Sequence, residues 1–325
     1  MATISGNVYT GSPVEDFLRK NYLSNPYFTE GLGHVHTGDK DSFNVADFTS
    51  SPTSTKFAVD PFASFATDSS SVEVVNIKLT KLQMKDTFTP STYHSFWKEY
   101  QPSGNFQFET LPAKVQVAMM ESFVGNVAQK DADVLTNDDG TILSENGAGA
   151  LQGGLVAQAE AQVDGAWGAR FRNTNQAGVD ATAVALDASN ILGELKKIVS
   201  ARPVVERNRA DQAIMMNDAM LDIFNDALEA LSFKGIDPTD SAKNTYRGMT
   251  IKINSHLADN VIFCGPLGSS LQDAMIHMGT NEFSDNANIE IAKFANGSAR
   301  WYVLATYALA IYLAKPGYGV YYNGN

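Results

Sequence analysis

Cysteine is nearly absent, with Cys264 the only one in 325 residues. A lone thiol excludes an intrachain disulfide framework and any multi-cysteine metal site. It stands in Asn260-Val-Ile-Phe-Cys264, an apolar strand-like run, which predicts a buried, inert side chain. Histidine is scarce too. Of five, only His34-Val-His36 puts two close together, on one side of the chain if that segment is extended. A metal there would need partners such as Asp39 or Asp41, and the polar, irregular context argues against a preformed site. Charged residues make up only 18%, and they lean acidic, for a formal net charge of -12. Duplex DNA repels such a surface, so specific nucleic-acid binding is excluded as the main task, while containment of DNA by closure is not. Long hydrophobic runs are missing as well. The most apolar stretch, Trp301 to Ala314, is too short for a membrane span and is closed by Lys315-Pro316, so it reads as a buried strand or strand pair.

Enzyme signatures are absent from the same survey. Gly31-Leu-Gly33 and Gly147 to Gly154 lack the strand-glycine-helix arrangement of a dinucleotide site, and no Gly-Lys-Ser/Thr closes a phosphate loop. Gly265-Pro-Leu-Gly-Ser-Ser270 makes no nucleophile elbow. Asp138-Asp139 reads as a solvated turn rather than a catalytic dyad. Arg202, Arg207 and Arg209 form a basic cluster interrupted by Glu206, either a solvated loop or an intersubunit salt-bridge patch. Asn296-Gly-Ser298 matches a glycosylation pattern, but Met1-Ala-Thr-Ile-Ser-Gly6 has no basic region followed by an apolar one, so no secretory signal is expected and the triplet reads as a turn. No catalytic, cofactor-binding or metal-ligating residue is predicted, and the reading is of a non-enzyme made and used in a cytoplasm.

Hydrophobic residues reach 44% and aromatics 10%, with 18 Phe and 12 Tyr, a mix that favours sheet and extensive packing surfaces. Residues 1 to about 65 are polar and poorly periodic, yet carry Tyr22, Tyr27, Phe28, Phe43, Phe48, Phe57, Phe62 and Phe65. Such an arm cannot form its own core, and the aromatics predict that it is ordered by lying across neighbouring subunits. Strands are predicted at 71–80 with an extension over 82–88, and at 213–216, 249–253, 261–264 and 288–294. Helices are predicted over 112–134, with Val117, Met120, Val124 and Val127 on one face, and over 187–199, with Ile191, Leu195 and Ile198 on a stripe. A further helix carries Leu221, Phe224, Leu228 and Leu231, with Asn217 as its cap. The region after Gly153-Gly154 is too rich in Ala, Gly and Gln for an assignment. The fold class is α+β, with no internal repeat and no coiled-coil array.

Lys130-Asp-Ala-Asp-Val-Leu135 ends the long helix, Asn137-Asp-Asp-Gly140 follows as an acidic-glycine turn, and Leu151-Gln-Gly-Gly-Leu155 supplies a Gly-Leu segment. This pattern, with the element order over 70–325, resembles the major capsid proteins of tailed bacteriophages that share the HK97-like fold. The resemblance implies an N-terminal arm over 1–45 and an extended loop over 46–70 that reaches a neighbouring subunit. It implies a peripheral domain over 71–184 with a spine helix at 112–134, an axial domain over 185–285, and a return to the peripheral domain over 286–325. It further implies self-assembly into hexamers and pentamers of an icosahedral shell enclosing double-stranded DNA, without sequence-specific binding and without a membrane. Portal, scaffolding or decoration proteins would be partners, and the shell would assemble in the host bacterial cytoplasm and persist in the virion. Some family members crosslink subunits through a loop lysine. Lys56 is the only lysine between Lys40 and Lys78, nothing marks it as reactive, and no crosslink is expected. An encapsulin-like compartment shell and a soluble binding module are the alternatives.

Overall fold

The computed structural model describes residues 7–9, 25–37, 41–50, 70–89, 113–144, 152–164, 172–173, 185–202, 207, 209, 211–230, 244–268, 274–281, 288–293, 300–314 and 319–324. The first half runs β1 (Asn7–Tyr9), α1 (Pro26–Thr29), β2 (His34–Thr37), β3 (Ser42–Ser50), β4 (Ser70–Lys78) and β5 (Thr80–Phe88). Then come α2 (Ala113–Asn137), α3 (Leu155–Asp164), β6 (Arg172–Asn173), α4 (Ile191–Ala201), β7 (Gln212–Met216) and α5 (Asp218–Glu229). The chain closes with β8 (Thr245–Tyr246), β9 (Met249–Ile253), β10 (Val261–Pro266), β11 (Ile276–Thr280), β12 (Asn288–Lys293), β13 (Trp301–Leu313) and β14 (Val320–Asn323). Lys56, Leu231 and Asn296-Gly-Ser298 lie outside the described residues.

The first sheet is organised by β13, a single strand where the sequence allows a strand or a strand pair. Leu309 pairs with Thr80 of β5 on one edge and Thr280 of β11 on the other. Since β12 pairs with Trp301 to Thr306, β11 and β12 lie end to end along the same edge of this long strand. Antiparallel β1 then extends β12, and parallel β2 extends β11, so two arm segments complete the sheet. The junction between β11 and β12 is sealed by Asn281, whose Oδ1 accepts from the Ala308 amide at 2.6 Å. A central strand with both edges paired needs apolar residues on both faces, and its second half is buried at almost every position.

The second sheet has the order β6-β14-β10-β7-β9-β8 and mixes parallel and antiparallel pairs. Helices α4 and α5 cover one face, where Ile191, Leu195, Ile198, Met220 and Phe224 meet Ile214, Met216, Ile262 and Cys264. Asn217 caps α5 as its position predicts, its side chain accepting from the Met220 amide at 2.8 Å. The other face joins the first sheet: Met215, Phe263 and Tyr321 share a core with Leu135 of α2, Leu155 of α3, Met278 of β11 and Ile311 of β13. Thus β11, from the 185–285 segment, belongs to the first sheet, and β14, from the 286–325 segment, belongs to the second.

Of the α2 face expected from the sequence, Val127 is buried, while the side chains of Val117, Met120 and Val124 lie outside the described residues. The described part of α2 turns Phe123, Val127, Ala128, Asp131, Ala132 and Leu135 inward. Two further features go beyond the sequence reading. The region after Gly153-Gly154 is helical, forming α3, because its alanines suit a helix lying close on α2. Part of the arm packs on its own body. Tyr27 and Leu32 are fully buried in the shared core, and Phe43 and Val45 pack on β13 alanines. The arm's short apolar islands each find a place on the same chain's sheets, which sequence spacing alone does not reveal.

Candidate functional site

The most distinctive surface feature is an antiparallel ribbon of β3 and β4, in register from Ser42 opposite Lys78 to Ser50 opposite Ser70. Nine residues per strand give a length of about 30 Å. The ribbon is a two-stranded sheet of its own, and its β4 strand runs through Leu79 into β5. At its root, Phe43, Val45, Ile77 and Leu79 pack against Ala308, Ala310 and Ala314. Gly279 permits this seating, because a Cβ there would lie 2.3 Å from the Phe43 ring and 2.7 Å from Leu79.

Near the root the strands present two rows. Phe43, Val45, Val75 and Ile77 form an apolar one, and in the other Asn76 Nδ2 donates to Asn44 Oδ1 at 2.7 Å. Farther along that second row Val74 is 58% exposed, the most open large hydrophobic among the described residues.

The root is bordered by three histidines. In the parallel β2–β11 pair His34 is registered opposite His277, and His36 Nε2 lies 3.1 Å from His277 Nδ1. The His36 ring stacks on Phe43 with centroids 4.3 Å apart. The predicted proximity of His34 and His36 is found, at 4.7 Å between centroids, while His277 joins them from 241 residues away. No group of three or more His, Cys, Asp or Glu among the described residues is arranged to hold a metal ion.

Behind the ribbon, α2 is tied to the first sheet by Tyr307, whose hydroxyl bonds Asp131 Oδ1 at 2.5 Å. Burial pushes the Asp131 carboxyl up to about 7, against the opposing effect of the tyrosine bond. The arm is fastened to both sheets. Thr136 Oγ1 donates to the Ala132 carbonyl, so Tyr27 is the donor in its 2.9 Å bond to Thr136. The Lys252 ammonium donates to the carbonyls of Gly31 and Leu267, each at 2.6 Å, and burial lowers its pKa.

The remaining sequence candidates have structural duties. Asp138 is buried rather than solvated, its carboxylate accepting from the amides of Gly140, Ile142 and Leu143 to fold the turn after α2. Gly153, at φ +87°, supplies the close approach of the next segment to that turn. Asp139 stays exposed. Of the arginine cluster, Arg202 is buried and donates to the Val199 carbonyl, the exposed Arg207 donates to the carbonyls of Ser200 and Arg202, and Arg209 pairs with Asp211 at 2.9 Å. Cys264 is buried, and its thiol is pushed up to about 12. No helix among the described residues is long and apolar enough to cross a membrane.

This architecture recurs in solved capsids. A chain of the satellite phage P4 procapsid, in a structure that includes size determination (Sid) protein, matches with a TM-score of 0.63 and 8% identity, over 97% of this chain and 92% of that one. The capsid of a native GTA particle matches at 0.56 and 12% identity, over 99% and 94%. The capsid of Myoviridae phage XM1 matches at 0.54 and 10%, over 100% and 97%. The chain has a capsid-protein fold. No family model and no curated protein matches its sequence. The agreement therefore rests on the path of the backbone.

Proposed function

We propose that this chain is the major capsid protein of a tailed phage, assembling with copies of itself into a closed shell around double-stranded DNA. The observation that carries the reading is the near-full-length match to capsid folds, covering 97% of this chain and 92% of the P4 procapsid chain. A partial match would suit a shared sheet motif, whereas this one spans nearly all of both chains. The exposed Val74 supports a lattice role for the ribbon, where it would pack on a neighbouring subunit.

The arrangement is read as HK97-like. Residues 1–45 form the arm and 46–70 the extended loop at the ribbon's outer end. Residues 71–184 form the peripheral domain with α2 as spine helix, 185–285 the axial domain, and 286–325 the return, with β11 and β14 crossing between the two sheets. Hexamers and pentamers would build the shell in the host cytoplasm. The net charge of -12 fits containment of DNA rather than tight binding to it. No catalytic activity is proposed.

Electron microscopy and mass photometry of the purified protein test this. Ring-shaped capsomers or closed shells are expected. A compact monomer at every salt and protein concentration would rule the reading out.

A further inference from the structure

We propose that the arm turn over residues 25–32 and the first turn of α5 form one conformational unit, so that drawing the arm off the body releases the start of α5 across the second sheet. The two lie on opposite faces of that sheet. Tyr27 and Leu32 belong to the core shared with the first sheet, and Met220 belongs to the core under α4 and α5. A chain of hydrogen bonds joins them around the ends of β7 and β9, which finish side by side at Met216 and Ile253. Asn217 and Asn254 are the residues that follow those ends.

The chain begins at the Tyr27 hydroxyl, which donates to Thr136 Oγ1 at 2.9 Å. Thr136 gives its own hydrogen to the Ala132 carbonyl, so its two lone pairs serve Tyr27 and Asn254 Nδ2, the latter 3.3 Å away. Asn254 is completely buried. Its amide donates to the Met216 carbonyl at 2.9 Å, its carbonyl accepts from the Leu257 amide at 3.0 Å, and its Oδ1 accepts from the His256 amide at 3.2 Å. The loop folded in this way presents the Leu257 carbonyl and Asp259 Oδ1 to Asn217 Nδ2, at 3.1 and 2.6 Å. With its side-chain amide held there, Asn217 turns Oδ1 to the Met220 amide and caps α5.

The arm end of the chain moves as a piece. Its turn is closed by bonds from the Thr29, Glu30 and Leu32 amides to the carbonyls of Asn25, Pro26 and Tyr27. Lys252 of β9, two residues before Asn254, grips the same turn through the Gly31 carbonyl. Undocking the turn therefore strips bonds from Lys252 and Thr136 together. A buried acceptor deprived of its donor is costly, and Asn254 is the neighbour whose amide can shift to compensate. That shift disturbs the loop that orients Asn217. The unit belongs to the single chain and does not depend on shell formation.

Hydrogen exchange with mass spectrometry on the unassembled full-length protein tests it. Tyr27→Phe keeps the buried ring and removes the hydroxyl. Amides of residues 220–222 and 255–259 should then exchange about fivefold faster, the effect of one lost hydrogen bond, while β5, β10 and β13 keep their protection. Coupling of this kind runs both ways. Asn217→Ser keeps an oxygen for the Met220 amide but loses both bonds to the loop, and it should speed exchange of Thr29, Glu30 and Leu32 by a similar factor. Should Tyr27→Phe not fold, Thr136→Val carries the same expectation for α5. Acceleration confined to the substituted side in either variant, or spread equally over β10 and β13, would overturn the proposal.

Discussion

Tyr307 of β13 and Asp131 of α2, separated by 176 residues in sequence, meet in a buried hydrogen bond of 2.5 Å that fixes the long helix to the centre of the first sheet. Because burial is the main influence on Asp131, the native state prefers the protonated acid, and its pKa moves from 3.8 up to about 7. A raised carboxyl pKa favours the native state at low pH. Its contribution is full below pH 3.8 and is lost as pH rises through about 7. Asp131→Asn should flatten this part of the pH profile and leave the protein more stable than the natural one above pH 7. Urea denaturation at intervals from pH 5 to pH 8 measures it, and an unchanged slope would assign the burial effect elsewhere. Tyr307→Phe leaves the acid without its partner and should cost about 1–3 kcal/mol.

Gly279→Ala should unseat the ribbon root, since the added Cβ meets the Phe43 ring at 2.3 Å and Leu79 at 2.7 Å. Overpacking of this kind costs about 1–3 kcal/mol. Limited proteolysis should show faster cutting within residues 41–50 and 70–79 than in the natural protein, with the second sheet as resistant as before.

Val74→Glu separates folding from assembly. The residue is exposed on the single chain, so the melting transition should move by no more than about 0.5 kcal/mol in stability terms. A charge at this exposed apolar position should nonetheless oppose packing on a neighbour, and mass photometry should report loss of capsomers. Undiminished assembly would show that Val74 faces solvent in the shell.

Two truncations test where the arm belongs. Removing residues 2–24 takes away the three-residue edge strand β1 and should leave the body folded. Removing residues 2–45 takes Tyr27, Leu32, Phe43 and Val45 out of the buried cores. At about 1.5–3 kcal/mol for each large apolar side chain, that loss rivals the whole stability of a typical domain. Circular dichroism should show a near-native melt for the first and a lost or much lowered one for the second.

What the sequence discloses is whatever repeats at short range. The Ile191, Leu195 and Ile198 stripe, the Asn217 cap and the apolar run of β13 each carry their signal within one element. On α2 the buried Asp131 is what the sequence hides, because an aspartate reads as exposed until Tyr307 is known to face it. α3 is hidden by small residues that pack well but mark no periodicity. Of the ribbon, β4 is visible as a strand, whereas β3 lies in a stretch read as polar and poorly periodic and emerges only when its Ser42-to-Lys78 register is known. His277 could not be joined to His34 and His36 by inspection, because parallel pairing across 241 residues leaves no local trace.

The placement of β13 bears on the timing of folding. Its partners β5, β11 and β12 all precede it, and β11 in turn holds β2. Thr80 and its partner Leu309 are 229 positions apart, as their numbering gives. At bacterial-scale synthesis rates, that interval lasts roughly 10–50 s. Throughout it β5 exists without the strand it pairs with, and β11 and β12 join only near its end. Folding of the first sheet must therefore follow emergence of residue 313 from the ribosome, and sheet pairing at such separations is intrinsically slow. Until then the unpaired edges and the ribbon are open to the wrong neighbours, so the nascent chain should lean on chaperones, and subunit supply is set by how quickly this one strand finds its place.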